Sequence, residues 1–437
     1  MSAAAATRRY ALLSFLTWLP TGLYLAPLVL LMLDRNLSVG LVAAVGAVYS
    51  IAVVLLELPT GGMADVLGRR PVLVASAVAS AAGLLILGLA ETLPLFIASA
   101  VLRGVARALA SGPTEAWYVD TLHAADGRDA DPTTGLARGE VAASVALAAG
   151  TLAGGLLPLA VTSVALPVSA LAVPVPLAAA VEAARTVVTL RLPEPQYPRP
   201  SPGAVLRAVP ATIVAGLRMV GGDRLLGRLL LVAGGIGIAL GVVELFTPAW
   251  LAELTGTRQY AAVTYAVVAA LSFAADAAGS AFGPALVRRC GTPARAAAVG
   301  TAVGALAMAA LAGTAPLRGP VGVLLAGLAY CLVFAGLGAA APAQASLLHG
   351  RVEASSRTTV LSVQSLFLQL AAAVGVVGLG WLAEQHGLWA GYAGAAGALL
   401  ACAALLRQPR RRPSRDPDDP PAANAPGPPS TAVATPE

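Results

Sequence analysis

Apolar residues run through the chain in blocks of about 20, the length a helix needs to cross a hydrocarbon core roughly 30 Å thick, and short polar or Gly/Pro-rich interruptions separate twelve of them. The blocks fall at residues 10–33, 39–63, 71–90, 94–119, 140–160 and 166–190, then at 226–250, 260–286, 294–314, 320–347, 358–381 and 388–406. This pattern predicts an all-α polytopic membrane protein whose twelve transmembrane helices form two pseudo-symmetric six-helix bundles. The first block is too long for a removable signal peptide and lacks a following small-residue cleavage site, so it is expected to stay as the first helix.

Composition sharpens the class. Hydrophobic residues make up 57% of the chain and charged residues 11%, with mean hydropathy +0.78, whereas a soluble domain carries about 25% charged residues. All 28 basic residues are Arg, and their placement sets an orientation, because cytoplasmic loops carry the excess of positive charge. With both termini inside, the segments on the outer side hold only Arg35, Arg258 and Arg318. Arg103 and Arg107 fall within the fourth span, and the remaining arginines, Arg185 among them, are assigned to the cytoplasmic side. A multi-pass protein of the cell (inner) membrane with cytoplasmic termini is expected. Its net charge of +6 then reflects topology, and no nucleic-acid partner is needed to explain it.

The two sets of six spans divide the chain into a bundle at 1–190, a connector at 191–225, a bundle at 226–406 and a tail at 407–437. The connector opens with R-L-P-E-P-Q-Y-P-R-P-S-P-G, too rich in Pro for a continuous helix. Val205, Leu206, Val209, Ile213, Leu217 and Val220 then recur at helical spacing between arginines, as in an amphipathic helix on the inner membrane surface. The tail, dense in Pro, Arg, Asp and Ala, has no periodic apolar face and is expected to be disordered. The halves echo each other weakly: Arg288 and Arg289 follow the eighth span as Arg69 and Arg70 follow the second, with Pro284 where the first half has Asp65. Repeated halves of this kind build sites at mid-membrane in many secondary transporters.

The turn after the second span reads E-L-P-T-G-G-M-A-D-V-L-G-R-R, Glu57 to Arg70. Its Gly61, Gly62 and Gly68 permit tight backbone bends. Asp65 is an acid at a helix end, and the N-terminus of the eleventh span near Thr358 and Thr359 offers free amides to attract it. Such a contact is worth about 0.3 to 2 kcal/mol, enough in small numbers to bias a two-state equilibrium. The other reading is a solvated loop that anchors topology. G-x-x-x-D-x-x-G-R-R, from Gly61 to Arg70, resembles the signature loop of the major facilitator superfamily, over a likeness that covers roughly residues 10 to 406. E-L-P-T-G, S-G-P-T-E-A-W-Y-V-D (Ser111 to Asp120) and R-T-T-V-L-S (Arg357 to Ser362) are also similar to that family, and most like its bacterial exporters. The resemblance implies that Arg69 pairs with Asp120, and that Gly61, Asp65, Gly68, Arg69, Arg70 and Asp120 form a conformational latch.

Charge inside the spans is the next signal, because a charge at mid-bilayer costs several kcal/mol unless it is paired or wetted. Arg103 lies nine residues past Pro94, roughly 14 Å along the helix, and is a candidate substrate or gating contact. Arg107 follows one turn later, and the resemblance implies a link to proton coupling for an Arg in this helix. The alternative is a structural ion pair with Glu57 or Glu115. Asp276 is read as the one acid deep in the second half and a candidate proton carrier. Glu57 has a similar claim or is a structural partner near the latch, while Glu244 is ranked lower as lying near the outer end of its span. The fifth span carries G-T-L-A-G-G-L-L-P, which departs from the Gly-Pro order of the family's antiporters and is also what close helix packing requires.

Without a single Lys the chain has neither a P-loop nor a retinal Schiff base. His123, His349 and His386 lack metal-ligand spacing, and Cys290, Cys331 and Cys402 suggest neither disulfides nor a cluster. No enzyme activity, metal or cofactor is expected. The expected protein is a monomeric secondary transporter of a small organic solute, working by alternating access with protons as the coupled ion and exporting a drug or metabolite. Uptake of a nutrient by symport or facilitated diffusion is the alternative, and a non-transporting membrane sensor is a third. Trp18, Tyr24, Tyr49, Trp117 and Tyr265 are placed either around a partly apolar cavity or at the membrane interfaces.

Overall fold

Backbone amides cannot find water in lipid, so a spanning chain must close its hydrogen bonds within each segment, and all regular structure among the described residues is helical. The computed structural model describes residues 1–127, 130–163, 168–194, 203, 218, 222–352 and 357–407; the side chains of residues 58, 61, 62, 65 and 357–359 are outside that description. The helices are α1 (Ala3–Asp34), α2 (Val39–Leu67), α3 (Arg69–Leu89), α4 (Leu93–Ala110), α5 (Pro113–Asp126), α6 (Thr133–Ala160) and α7 (Pro174–Leu190), followed by α8 (Arg224–Thr255), α9 (Arg258–Cys290), α10 (Pro293–Gly313), α11 (Gly319–His349), α12 (Arg357–His386) and α13 (Leu388–Leu406). With α4 and α5 taken as one, they supply twelve spans long and apolar enough to cross a membrane. Leu55, Leu306, Val321 and Val374 are largely exposed on their outer faces, as residues facing lipid would be.

The boundaries correct the expectation in three places. The fourth span is not continuous over 94–119: Gly112, at φ +88°, turns the chain before Pro113 starts α5. The Gly-rich loop contracts to one residue, because α2 continues through Gly61 and Gly62 to Leu67 and α3 begins at Arg69. Gly68 alone makes the bend, at φ +109°, a conformation that only Gly adopts without strain. The fifth span starts earlier, at Thr133, whose amide and hydroxyl donate to Asp131 and hold that carboxyl below the usual range. The expected amphipathic helix of the connector and the tail beyond Arg407 are outside the described residues, so the domain limits there stay expectations.

Small residues set the packing. In the first half α1 lies along α6, where a Cβ on Gly22 would sit 2.5 Å from the Leu147 carbonyl and one on Gly154 would overlap the Leu23 carbonyl. The second half repeats the device between α8 and α12, where a Cβ on Gly237 would overlap the Leu368 carbonyl. Two helix pairs make most of the contact between the halves, α2 with α12 and α6 with α9, and α1 also touches α8 and α9.

The start of α1, the end of α13, Gly68 and the Cys290 corner share one side of the bundle, here the terminal side; Asp34, Ser38 and Gly387 mark the far side. The apolar core differs between them. Towards the far side one cluster runs through both halves, from Leu30 and Val42 to Phe246 and Ala266. Towards the terminal side the halves keep separate clusters, one around Tyr10, Trp117 and Tyr118 and the other around Leu229, Ala297 and Leu348.

Gly154→Ala should therefore force α1 and α6 apart and lose about 1–3 kcal/mol, read as a lower thermal midpoint in detergent. Gly397→Ala, which meets nothing within 4 Å, should leave the midpoint unchanged.

Candidate functional site

Five helices, α1, α2, α4, α8 and α12, enclose a cavity of about 320 Å³ between the halves. Most of its wall is aliphatic, and two charged side chains enter it from opposite sides. Arg103 comes from α4. Gly83 leaves room for its stem, since a Cβ there would lie 3.0 Å from Arg103 Cγ, and Gly104 brings α4 against the backbone of α2 at Tyr49. The side chain thus emerges between α1 and α2, its guanidinium carbon 5.0 Å from the centroid of the Tyr24 ring and 5.8 Å from that of Tyr49. Its Nε donates to Ser99 Oγ at 3.2 Å, and Ser99 donates to the Gly83 carbonyl at 2.8 Å. The residue is only 7% exposed, and no carboxylate among the described residues pairs with it. The alternative of an ion pair with Glu57 or Glu115 is not what the structure contains.

Glu244 lines the same cavity from α8, its side chain open to it and without a hydrogen-bond or ion-pair partner among the described residues. Its low rank came from ending the span at 250. The helix continues past Pro248 to Thr255, which leaves Glu244 eleven residues, roughly 16 Å, from that end. Asp276 is not the one deep acid, and it is not in this cavity. It lines a separate recess within the second half, with Phe273, Phe334, Gln344 and Gln364; Leu240 and Leu368 belong to both walls and divide the two spaces.

Arg107, one turn from Arg103, is exposed and stacks over Trp18 at 4.8 Å. A narrow cleft of about 40 Å³ leads from these two to a buried polar cluster between α3 and α7. There Arg185 Nε donates to Glu182 at 2.5 Å, Ser80 donates to Glu182 at 2.9 Å, and Arg185 Nη2 donates to Ser76 at 3.2 Å. Arg185 is thus no loop charge, as the arginine assignment had it; both it and Glu182 are 3% exposed. Their separation by three residues on one helix was the available signal. Of the aromatic residues, Tyr24 and Tyr49 line the cavity, while Trp117 and Tyr265 are buried in the cores.

Glu57 sits where three elements meet. It accepts from Ser111 Oγ at 3.2 Å, beside the α4–α5 break, and from Gln369 Nε2 at 3.2 Å on α12 of the other half. On the terminal side, the turn at Gly68 is held by the segment that follows α7. The Glu194 carboxylate accepts from the amides of Arg69 (2.8 Å) and Arg70 (3.0 Å), Arg70 Nη1 donates to the Leu192 carbonyl (3.3 Å) and Trp117 Nε1 to that of Pro193 (2.9 Å). Arg69 Nε lies 3.5 Å from Asp120 Oδ2. Glu194 was missed, because its partners lie more than a hundred residues away in sequence. The side chains of Gly61 and Asp65, and of Thr358 and Thr359, are outside the described residues, and so is the contact expected between them.

On the far side two acids join the halves. Asp34, at the end of α1, pairs with Arg258 at the start of α9 at 2.7 Å, and Arg258 also donates to the Leu33 carbonyl at 3.0 Å. Glu384 on α12 accepts from the Gly40 amide in the first turn of α2 at 2.9 Å, a carboxylate at the positive end of a helix. Neither acid was singled out in the sequence.

Twelve spans around a cavity that both halves share, with cross-links above and below it, are the architecture of a membrane transporter. The chain belongs to the major facilitator superfamily: its sequence matches the model described as Major Facilitator Superfamily over residues 10–375. Among solved structures it is similar to a point mutant of the nucleoside transporter NupG, at 15% identity and TM-score 0.74 over 92% of this chain and 98% of that one. A bacterial homologue of the human lysosomal transporter Spinster, inward-facing and unoccupied, gives 16% identity and TM-score 0.70 over 92% and 93%. A point mutant of the peptide transporter POT gives 16% and 0.69 over 92% and 93%. These likenesses concern the fold. No curated protein matches the sequence significantly.

Two outcomes follow. Glu182→Leu should strand the buried Arg185 charge and lose about 3–5 kcal/mol of stability, most of it regained in the Glu182→Leu, Arg185→Leu double variant, as measured by denaturation in detergent. Asp34→Asn should loosen the far side. A half-exposed pair is worth about 0–1 kcal/mol, so a cysteine at Val45→Cys, in a background with Cys290, Cys331 and Cys402 replaced by Ser, should label up to about fivefold faster from that side.

Proposed function

We propose that the chain is a secondary transporter that carries a small organic solute by alternating access and exports it in exchange for protons. The observation that supports this best is the union of one cavity with unequal cores: a single apolar cluster joins the halves beyond the cavity on the far side, while each half keeps its own cluster on the terminal side. Such an arrangement suits a state closed on the far side, and the arginine distribution supports a cytoplasmic terminal side. Arg103 and Arg107 are the proposed solute contacts, Asp276 in its own recess the proposed proton carrier, and Glu57, bonded to Gln369, the link between site and gate. Gly61, Asp65, Gly68, Arg69, Arg70 and Asp120 are proposed to latch the terminal side in the opposite state. The protein works as a monomer in the cell (inner) membrane, with its termini in the cytoplasm. Export rests on the likeness of Ser111 to Asp120 and Arg357 to Ser362 to bacterial exporters. A cargo of small organic size accords with the nucleoside and peptide transporters that share the fold.

Everted vesicles from cells that express the chain should accumulate solute from a labelled metabolite mixture, and a protonophore should collapse the gradient. Asp276→Asn and Arg103→Ala, present in the membrane at wild-type amounts, should each lower the flux by at least about tenfold, equivalent to 1.36 kcal/mol of barrier. Accumulation in intact cells and none in everted vesicles would reverse the direction to uptake. Binding without flux in both preparations would make the protein a sensor.

A further inference from the structure

We infer that the solute is dipolar: an anionic group seats at Arg103 between Tyr24 and Tyr49, and a cationic group seats at Glu244 across the same cavity. The inference rests on the transporter reading of that cavity and deepens it by naming the substrate class.

The two charges stand on opposite halves, Arg103 on α4 and Glu244 on α8, and both line the one enclosed space. Among the described residues neither has an ion-pair partner, and the Arg103 guanidinium spends only its Nε on a protein acceptor, Ser99. Its two terminal nitrogens stay available as a fork, the geometry that matches a carboxylate or phosphate. The tyrosine rings give it cation–π contacts of about 0.5–2 kcal/mol, which fall short of the several kcal/mol that a charge costs at this depth. Between the charges the wall is apolar, with Leu25, Leu28, Val29, Leu245 and Val376.

A neutral solute in this space would strip water from both charged side chains and return nothing to either. A solute with a single charge would leave the other side chain unpaired in an apolar pocket. Only a solute with both signs satisfies the two walls together. The volume, about 320 Å³, lies at the lower end of small-molecule sites, which suits a zwitterion of amino-acid to dipeptide size with an apolar body. Such a solute would also bridge the halves, so that its binding energy favours the state in which both walls reach it.

The test uses matched compounds that share one body: L-phenylalanine and L-phenylalanyl-L-alanine, each free, N-acetylated to leave only the anion, and C-amidated to leave only the cation. Binding to the purified full-length protein is read by thermal stabilisation and by calorimetry. At least one free zwitterion should bind, and blocking either end should weaken it by at least about tenfold, as loss of one partner of a desolvated charge pair does. Arg103→Gln should abolish the preference for a free carboxylate and Glu244→Gln the preference for a free amine, each leaving the other preference in place. Equal binding of blocked and free forms overturns the inference, and so does failure of every zwitterion in the series. The selectivity of the unaltered protein decides the matter even if one variant does not fold. Flux into proteoliposomes separates the two claims: a zwitterion that binds and is not carried sinks the transporter reading alone, while carriage of only neutral or singly charged compounds sinks the dipole alone.

Discussion

A guanidinium held deep in a membrane protein without a carboxylate beside it is unstable unless water or a ligand reaches it, and Arg103 is such a group. Everything around it answers that constraint. Gly83 and Gly104 let α4 approach its neighbours closely enough to aim the side chain inward, Ser99 fixes its Nε, and two tyrosine rings flank it without neutralising it. The cavity keeps the head of the side chain accessible, and Glu244 lines the same cavity from the other half. Arg185 shows the other solution in the same bundle. It is buried as deeply, but its Nε donates to the Glu182 carboxylate and its Nη2 to Ser76, so its charge is met within the frame and holds α7 to α3. One arginine is part of the frame, and the other keeps its terminal nitrogens open to the cavity.

Both rims of the bundle use the same physics, a carboxylate brought from a distant segment to the free amides that begin a helix. At the terminal side Glu194 caps α3, and at the far side Glu384 caps α2. The difference lies in what each acid joins. Glu194 follows directly on α7 and binds its own half, so it makes the Gly68 turn rigid with that half. Glu384 belongs to the second half and binds the first, so the alternating access proposed above requires its contact to break.

The spans were legible in the sequence because lipid imposes a length, and in-span arginines were legible because so few charges interrupt those lengths. Arg103 was found for that reason. Glu244 was placed near a rim because the span was ended at 250, whereas the helix runs on to Thr255; a shift of five residues at one end moves a side chain from rim to cavity. Gly68 was recognised as a turn residue, but its neighbours Gly61 and Gly62 stay helical, since what a glycine permits is not what the chain requires there. Glu194, Glu384, Asp34 and Arg258 left no local trace, because each finds its partner more than a hundred residues away. Periodicity reports which face a residue takes, and a cap borrowed from another helix has no period.

Interchange between two states also demands that the halves hold together weakly wherever they must separate. The Asp34–Arg258 pair is partly exposed, and such pairs contribute about 0–1 kcal/mol. The apolar contacts between the halves are made largely by small side chains. Gly155 faces Ala262, with a would-be Cβ 2.6 Å from the Ala262 carbonyl, and Gly380 faces Ala43 at 2.9 Å. Backbones that meet this closely gain dispersion energy over a smooth surface. Helices joined in that way can roll past one another and lose contact a little at a time. Interlocked rings such as Tyr392 against Phe246 and Trp250 lie within one half.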